Sequence, residues 1–183
     1  MKKEYINRPG SGYWDIGNCL AVDKAKIYSD LSIVAIDIAK RMPRPLMQIC
    51  GPISTGGKGS IEANIIGFDK AIMFFIAKGF NIFDQIPFEE PMHRIRASKN
   101  ISGYDQALLD EFYVPLFESG LIKKFIFLPD WESSKGSKWE QKQAERLGIE
   151  IIYLPDDWYE SNYNLVWWKL LFKTRDFWSL VFF

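Results

Sequence analysis

Two cysteines and one histidine in 183 residues remove whole classes of chemistry. Cys19 and Cys50 are too few for a disulfide framework or a four-cysteine zinc site, and His93, standing alone, rules out most zinc constellations. Neither a metal nor a cofactor is expected. An excess of one charge is missing as well: Lys plus Arg number 23 and Asp plus Glu number 23, so the composition offers no basic face to a nucleic-acid polymer and no acidic surplus that would signal disorder. No run of about 18 apolar residues occurs, which excludes a membrane-spanning helix. The first twelve residues, MKKEYINRPGSG, have no apolar centre of the kind a secretory signal needs. These absences predict a cytoplasmic protein whose partner is a small molecule and not a membrane.

What is present is an apolar content of 48% in a chain long enough to close one α/β core. Residues 1–19 read as an irregular arm around Pro9, Gly10 and Gly12. A helix is expected over 21–42, ended by Pro43 and Pro45. Leu46 to Cys50 reads as a buried strand, 61–78 as a helix with Ile65, Phe68, Ile72 and Phe75 at helical spacing, and 80–83 as a second strand. Residues 84–103 read as a loop with little regular structure. A helix over 104–118, kinked at Pro115, precedes a strand at 125–128, a helix at 139–147 with Gly148 as its cap, and a strand at 149–154. The alternation predicts a doubly wound, flavodoxin- or Rossmann-like, mainly parallel sheet with helices on both faces. The organisation is an arm and helix at 1–45, the α/β domain at 46–157, and an aromatic tail at 158–183 that should pack on the body or on a neighbouring subunit.

Two loops stand out. The first, Gly51-Pro52-Ile53-Ser54-Thr55-Gly56-Gly57, follows the first strand and lets backbone approach a ligand closely. It lacks the Gly-Lys-Ser/Thr ending of a P-loop, because Lys58 is followed by glycine. The second, Leu128-Pro129-Asp130-Trp131-Glu132-Ser133-Ser134-Lys135-Gly136, leaves a later strand and opens a helix, an arrangement that directs backbone N–H groups and partial positive charge at an anion such as phosphate. Glu140 falls in the first turn or so of that helix, with its carboxylate available to the enclosed pocket.

The pairing of Cys50-Gly51-Pro52-Ile53-Ser54 with Ser134-x-Gly136-x-x-x-Glu140 resembles the nucleoside 2-deoxyribosyltransferase superfamily, over residues 46–154. It is most similar to the 2′-deoxynucleoside 5′-phosphate N-hydrolases and to an uncharacterised branch reading Leu-Pro-Gly-Trp-x-x-Ser-x-Gly-Ala, where this chain has Asp130 in place of the glycine. The resemblance implies that Glu140 is the nucleophile attacking the anomeric carbon, that Ser134 with Gly136 binds a 5′-phosphate, and that Gly51, Pro52, Ile53, Ser54 and Gly56 embrace sugar and base. It implies an acid ahead of the central strand, with Asp110 the candidate and Asp105 the alternative. It implies a homo-oligomer, since members complete their sites across subunits. Trp131 stacks on a base in one reading and closes the core in another.

The expected function is therefore cleavage of the N-glycosidic bond of a (deoxy)nucleoside 5′-monophosphate, by hydrolysis or by transfer of the sugar to a second base. The alternative is a non-catalytic nucleotide-binding or sensing module, with the aromatic tail as its interaction surface. Ser134 has a blander reading as a helix N-cap, His93 one as a surface residue in a loop, and Glu140 one as an acid that only favours the helix dipole.

Overall fold

The computed structural model describes residues 8, 11–100, 103 and 105–159. The helices are α1 (Ile16–Lys24), α2 (Tyr28–Arg41), α3 (Ile61–Ala77), α4 (Ile86–Ser98), α5 (Gln106–Leu108), α6 (Val114–Glu118) and α7 (Lys135–Leu147). The strands are β1 (Leu46–Cys50), β2 (Asn81–Phe83), β3 (Ile122–Phe127) and β4 (Glu150–Tyr153). They form one sheet in the order β2-β1-β3-β4, every pair parallel. Helices flank the sheet, so the doubly wound α/β architecture is the observed one.

Side-chain alternation along the strands divides the core in two. Leu46 and Cys50 of β1 and Phe125 and Phe127 of β3 point into a layer made with α1, α2, α4, α6 and α7, around Tyr28, Leu31, Phe88, Phe112, Phe117 and Ala144. Met47 and Ile49 of β1 and Ile126 of β3 point the other way, onto Phe68, Ile72 and Phe75 of α3. Trp158 closes that second layer, stacked on Phe75 with ring centroids 6.2 Å apart. Residues 160–183, most of the aromatic tail, lie outside the described residues.

The order 2-1-3-4 matters for function because the chain leaves β1 toward one side of the sheet and β3 toward the other. The loops after β1 and β3 therefore diverge, opening a crevice at their carboxyl ends, the usual ligand position in such sheets. Both loops singled out in the sequence border it.

Several expectations are corrected. Residues 84–103 are not a loop: α4 occupies most of them, with Pro87 near its start, the Asp84 carboxylate accepting from Ile86 N–H (3.0 Å), and Phe88, Met92 and Ile95 buried at i, i+4 and i+7. The charged residues between those positions mask the apolar stripe, and Pro91 interrupts the pattern without stopping the helix. The end of the expected arm is helical: α1 begins within it at Ile16 and runs on to Lys24, capped by Asp15, whose carboxylate accepts from Asn18 N–H (2.7 Å). Ala25 to Ile27 then separate α1 from α2, where one helix was expected. The helix before β3 widens into a π turn over Leu109–Tyr113. Pro115 has no N–H to donate to Glu111 and its ring would strike that carbonyl, so the preceding turn loosens.

Candidate active site

The crevice is a cavity of about 440 Å³. Gly51, Ile53 and Ser54 come to it from the loop after β1, and Ser134, Gly136, Ser137 and Glu140 from the start of α7. Gln85, just ahead of α4, and Glu89, His93 and Arg96 on one face of it line the cavity, while Asp105 and Tyr113 come from the chain around the π turn.

Ser134 begins α7 as its N-cap, accepting from Ser137 N–H at 3.3 Å. Thr55 Oγ1 donates to Ser134 Oγ (3.4 Å) and accepts from Lys135 N–H (3.2 Å), which ties the two loops together at the cavity floor. The N-cap reading of Ser134 is thus realised, and its own hydroxyl hydrogen stays available to a ligand. Among the described residues, no partner is present for Gly136 N–H or for the buried Ser137 hydroxyl. A Cβ built on Gly136 would meet only Ser134 Oγ, at 3.6 Å, so the protein itself does not demand glycine there.

Glu140 lies in the second turn of α7, not the first, because the helix starts at Lys135. It is buried, 8% exposed, and Gln48 Nε2 donates to its Oε1 in a long hydrogen bond (3.4 Å). Burial pushes its carboxyl up to about 8 against opposing donation from Cys50 and Gln48, and the charge of Glu89 adds to the rise. Glu89, half-buried in the first turn of α4, is pushed up to about 7 by burial. Cys50 and Tyr113 are held neutral, first by burial and then by the carboxyl charges beside them. The cavity thus contains two carboxyl groups that ionise near neutrality.

Asp110 is not in the cavity. It is exposed on the π turn, where its carboxylate accepts from Gln106 Nε2 (2.9 Å). Of the two aspartates, Asp105, ahead of the π turn, is the one that lines the cavity: it caps Leu108 N–H (3.2 Å) and accepts from the Tyr28 hydroxyl. Trp131 is also elsewhere, its ring 5.2 Å from Tyr153 and 5.1 Å from Phe127, so it closes the core beside β4. Pro52 is buried behind the loop and does not line the cavity. Gly56, at φ 72°, faces the backbone of Ser133, where any Cβ would come within 2.6 Å, so it serves loop-on-loop packing. His93 lies on α4 at the cavity rim, not in a loop.

Asp130 adopts the left-handed conformation (φ 62°, ψ 10°) that a glycine takes without strain. An L-residue there costs on the order of 1 kcal/mol. Two hydrogen bonds to its carbonyl, from Ser133 N–H (2.9 Å) and Ser133 Oγ (2.6 Å), are each worth about the same and hold the turn.

Three residues of the cavity and its loops were not singled out by the sequence. Gln48 carried a usable signal, a lone amide inside Leu-Met-Gln-Ile-Cys on a strand buried on both faces. Asn64 donates to Ile53 O and Gly56 O (both 3.0 Å) and accepts from Lys58 N–H (2.7 Å), stapling the first loop onto α3. Glu89 gave no signal once its segment was taken for a loop. Among the described residues, no cluster of His, Cys, Asp or Glu is disposed to hold a metal ion, and no helix is long and apolar enough to cross a membrane.

Comparison with protein-family models, with curated proteins and with solved structures finds no match to this chain. The class that stands on the structure is therefore the fold alone, a doubly wound parallel α/β domain with a cavity at its switch point.

Proposed function

We propose that the protein cleaves the N-glycosidic bond of a (deoxy)nucleoside 5′-monophosphate, with Glu140 as nucleophile and water or a second base as acceptor. One observation carries this reading: a buried carboxyl and the N-terminus of the helix that bears it face the same cavity, whose size suits a nucleotide. The unpartnered Gly136 N–H, with the Ser134 and Ser137 hydroxyls, offers donors to a phosphate at the positive end of α7. Glu140, oriented by Gln48 and Cys50, attacks the anomeric carbon in its ionised form, from a position six residues after Ser134. Gly51, Ile53 and Ser54 line the opposite wall against sugar and base.

Incubating a panel of nucleoside monophosphates with the wild type and with Glu140→Ala tests this. Free base is expected from the wild type alone, and its absence with every nucleotide would reject the reading. A second reading has its own support: with Glu140 pushed up to about 8, the carboxyl is largely protonated at pH 7 and then binds rather than attacks. A sensing module would bind the same nucleotides in both proteins, by calorimetry, and release no base. Two buried, unpaired cysteines agree with a reducing cytoplasm. The superfamily resemblance supports a homo-oligomer, which size-exclusion chromatography would reveal.

A further inference from the structure

Beyond Glu140, the cavity holds a second carboxyl that no motif singles out. We infer that Glu89 is the catalytic acid that protonates the departing base. The inference rests on the glycosidic-cleavage reading.

The argument begins with placement. Glu89 and Glu140 line one cavity from different helices, α4 and α7, and the charge of Glu89 reaches Glu140. A glycosidic bond needs a carboxylate at the anomeric carbon and a proton on the leaving group, which two carboxyls across one site supply. The other charged or titratable groups lining the cavity are less suited. Asp105 is committed to Leu108 N–H and the Tyr28 hydroxyl. Tyr28 and Tyr113 are held neutral far above the working range. Arg96, from the same face of α4 as Glu89, donates to Gly103 O, and Lys135 is exposed at the start of α7. His93 is exposed at the rim.

The division of labour follows from hydrogen bonding. By burial Glu140 is the harder of the two to ionise. Gln48 and Cys50 nevertheless donate to it, whereas no described group donates to Glu89. Gln48 and Cys50 fix Glu140 on the helix whose N-terminus takes the phosphate, which places it for the anomeric carbon, and Glu89, reaching the cavity from α4, is placed for the departing base. An acid titrating near neutrality is poised to give that proton up.

The step then balances. A Glu140 oxygen bonds to C1′ as the C1′–N bond breaks. Its electron pair goes to the base nitrogen, which takes the Glu89 proton, directly or through the ring. Water next attacks C1′ and gives a proton to the Glu89 carboxylate, Glu140 leaves, and the sugar phosphate and free base are the products.

The test compares Glu89→Gln and Glu140→Gln with the wild type on two nucleotides, one with an ordinary purine and one with a 7-methylated purine whose fixed charge lets it leave without a proton. Glu89→Gln should lower kcat on the ordinary purine at least about 100-fold and remain within about fivefold of wild type on the methylated one. Its residual kcat on the ordinary purine should also lose the alkaline fall that wild type shows there. Glu140→Gln should be inactive on both. Equal loss on both substrates in Glu89→Gln, or no loss on either, overturns the assignment while leaving glycosidic cleavage intact. Rescue of Glu140→Gln in place of Glu89→Gln would exchange the roles and also overturns it. No base released by the wild type would reject the assignment together with the proposed function.

Discussion

Replacing Glu140 by glutamine should flatten the pH dependence of stability. In the unfolded chain this carboxyl ionises near 4.5 and in the folded chain near 8, so between those values the folded state keeps a proton that the unfolded state has lost. Its contribution is full below pH 4.5 and drains away as the pH rises toward 8. At about 1.4 kcal/mol per pH unit, moving from pH 5.5 to 8.5 removes on the order of 3 kcal/mol through Glu140, and about 2 kcal/mol through Glu89, whose folded value is about 7. Both are ceilings, because the cavity admits water. A loss of even half that size is large against the ~5–15 kcal/mol total stability of a typical domain. Urea unfolding followed by tryptophan fluorescence at pH 5.5, 7 and 8.5 reads it directly. The wild-type midpoint should fall steadily with pH, and Glu140→Gln should gain on the wild type by on the order of 2 kcal/mol between the extremes. Parallel curves for the two proteins, or a wild-type midpoint that rises with pH, would refute the burial argument on which the site chemistry stands.

Gly136→Ala should leave the fold intact and raise stability by up to about 1 kcal/mol, since the added Cβ meets only Ser134 Oγ and alanine suits a helix better. The same change should weaken nucleotide binding at least about tenfold by crowding the free N–H, a combination visible by calorimetry alongside thermal melting. Asn64→Ala removes three hydrogen bonds from the first loop and should cost about 2–3 kcal/mol in chemical unfolding. Asp110→Ala should change neither stability nor turnover by a measurable amount. Asp105→Ala should cost about 2 kcal/mol or more, because it strands the buried Tyr28 hydroxyl and the cap on Leu108.

The alternation of apolar strands with helical stretches, read along the chain, was enough for the doubly wound class, because burial on both faces forces parallel strands to be apolar throughout. The Ser-x-Gly-x-x-x-Glu spacing likewise determined that Ser134, Gly136 and Glu140 share one helix start, since positions that close in sequence are placed by local geometry alone. Which acid faces the cavity was another matter. Asp110 and Asp105 differ by five residues: Asp110 sits exposed on the π turn, whereas Asp105, ahead of it, is held at the cavity by the Tyr28 hydroxyl and Leu108 N–H. Glu89 joins Glu140 only because β2 and β3 lie on either side of β1, bringing α4 over the cavity that α7 enters. Gly56 and Trp131 took their roles from loop-on-loop and ring-on-ring contact between segments up to 77 residues apart, and Asn64 its own from side-chain bonds to the preceding loop. Local geometry propagates over a few residues, whereas the ionisation of a buried carboxyl depends on whatever the whole fold places within a few ångströms of it, and that is decided only when the layers close.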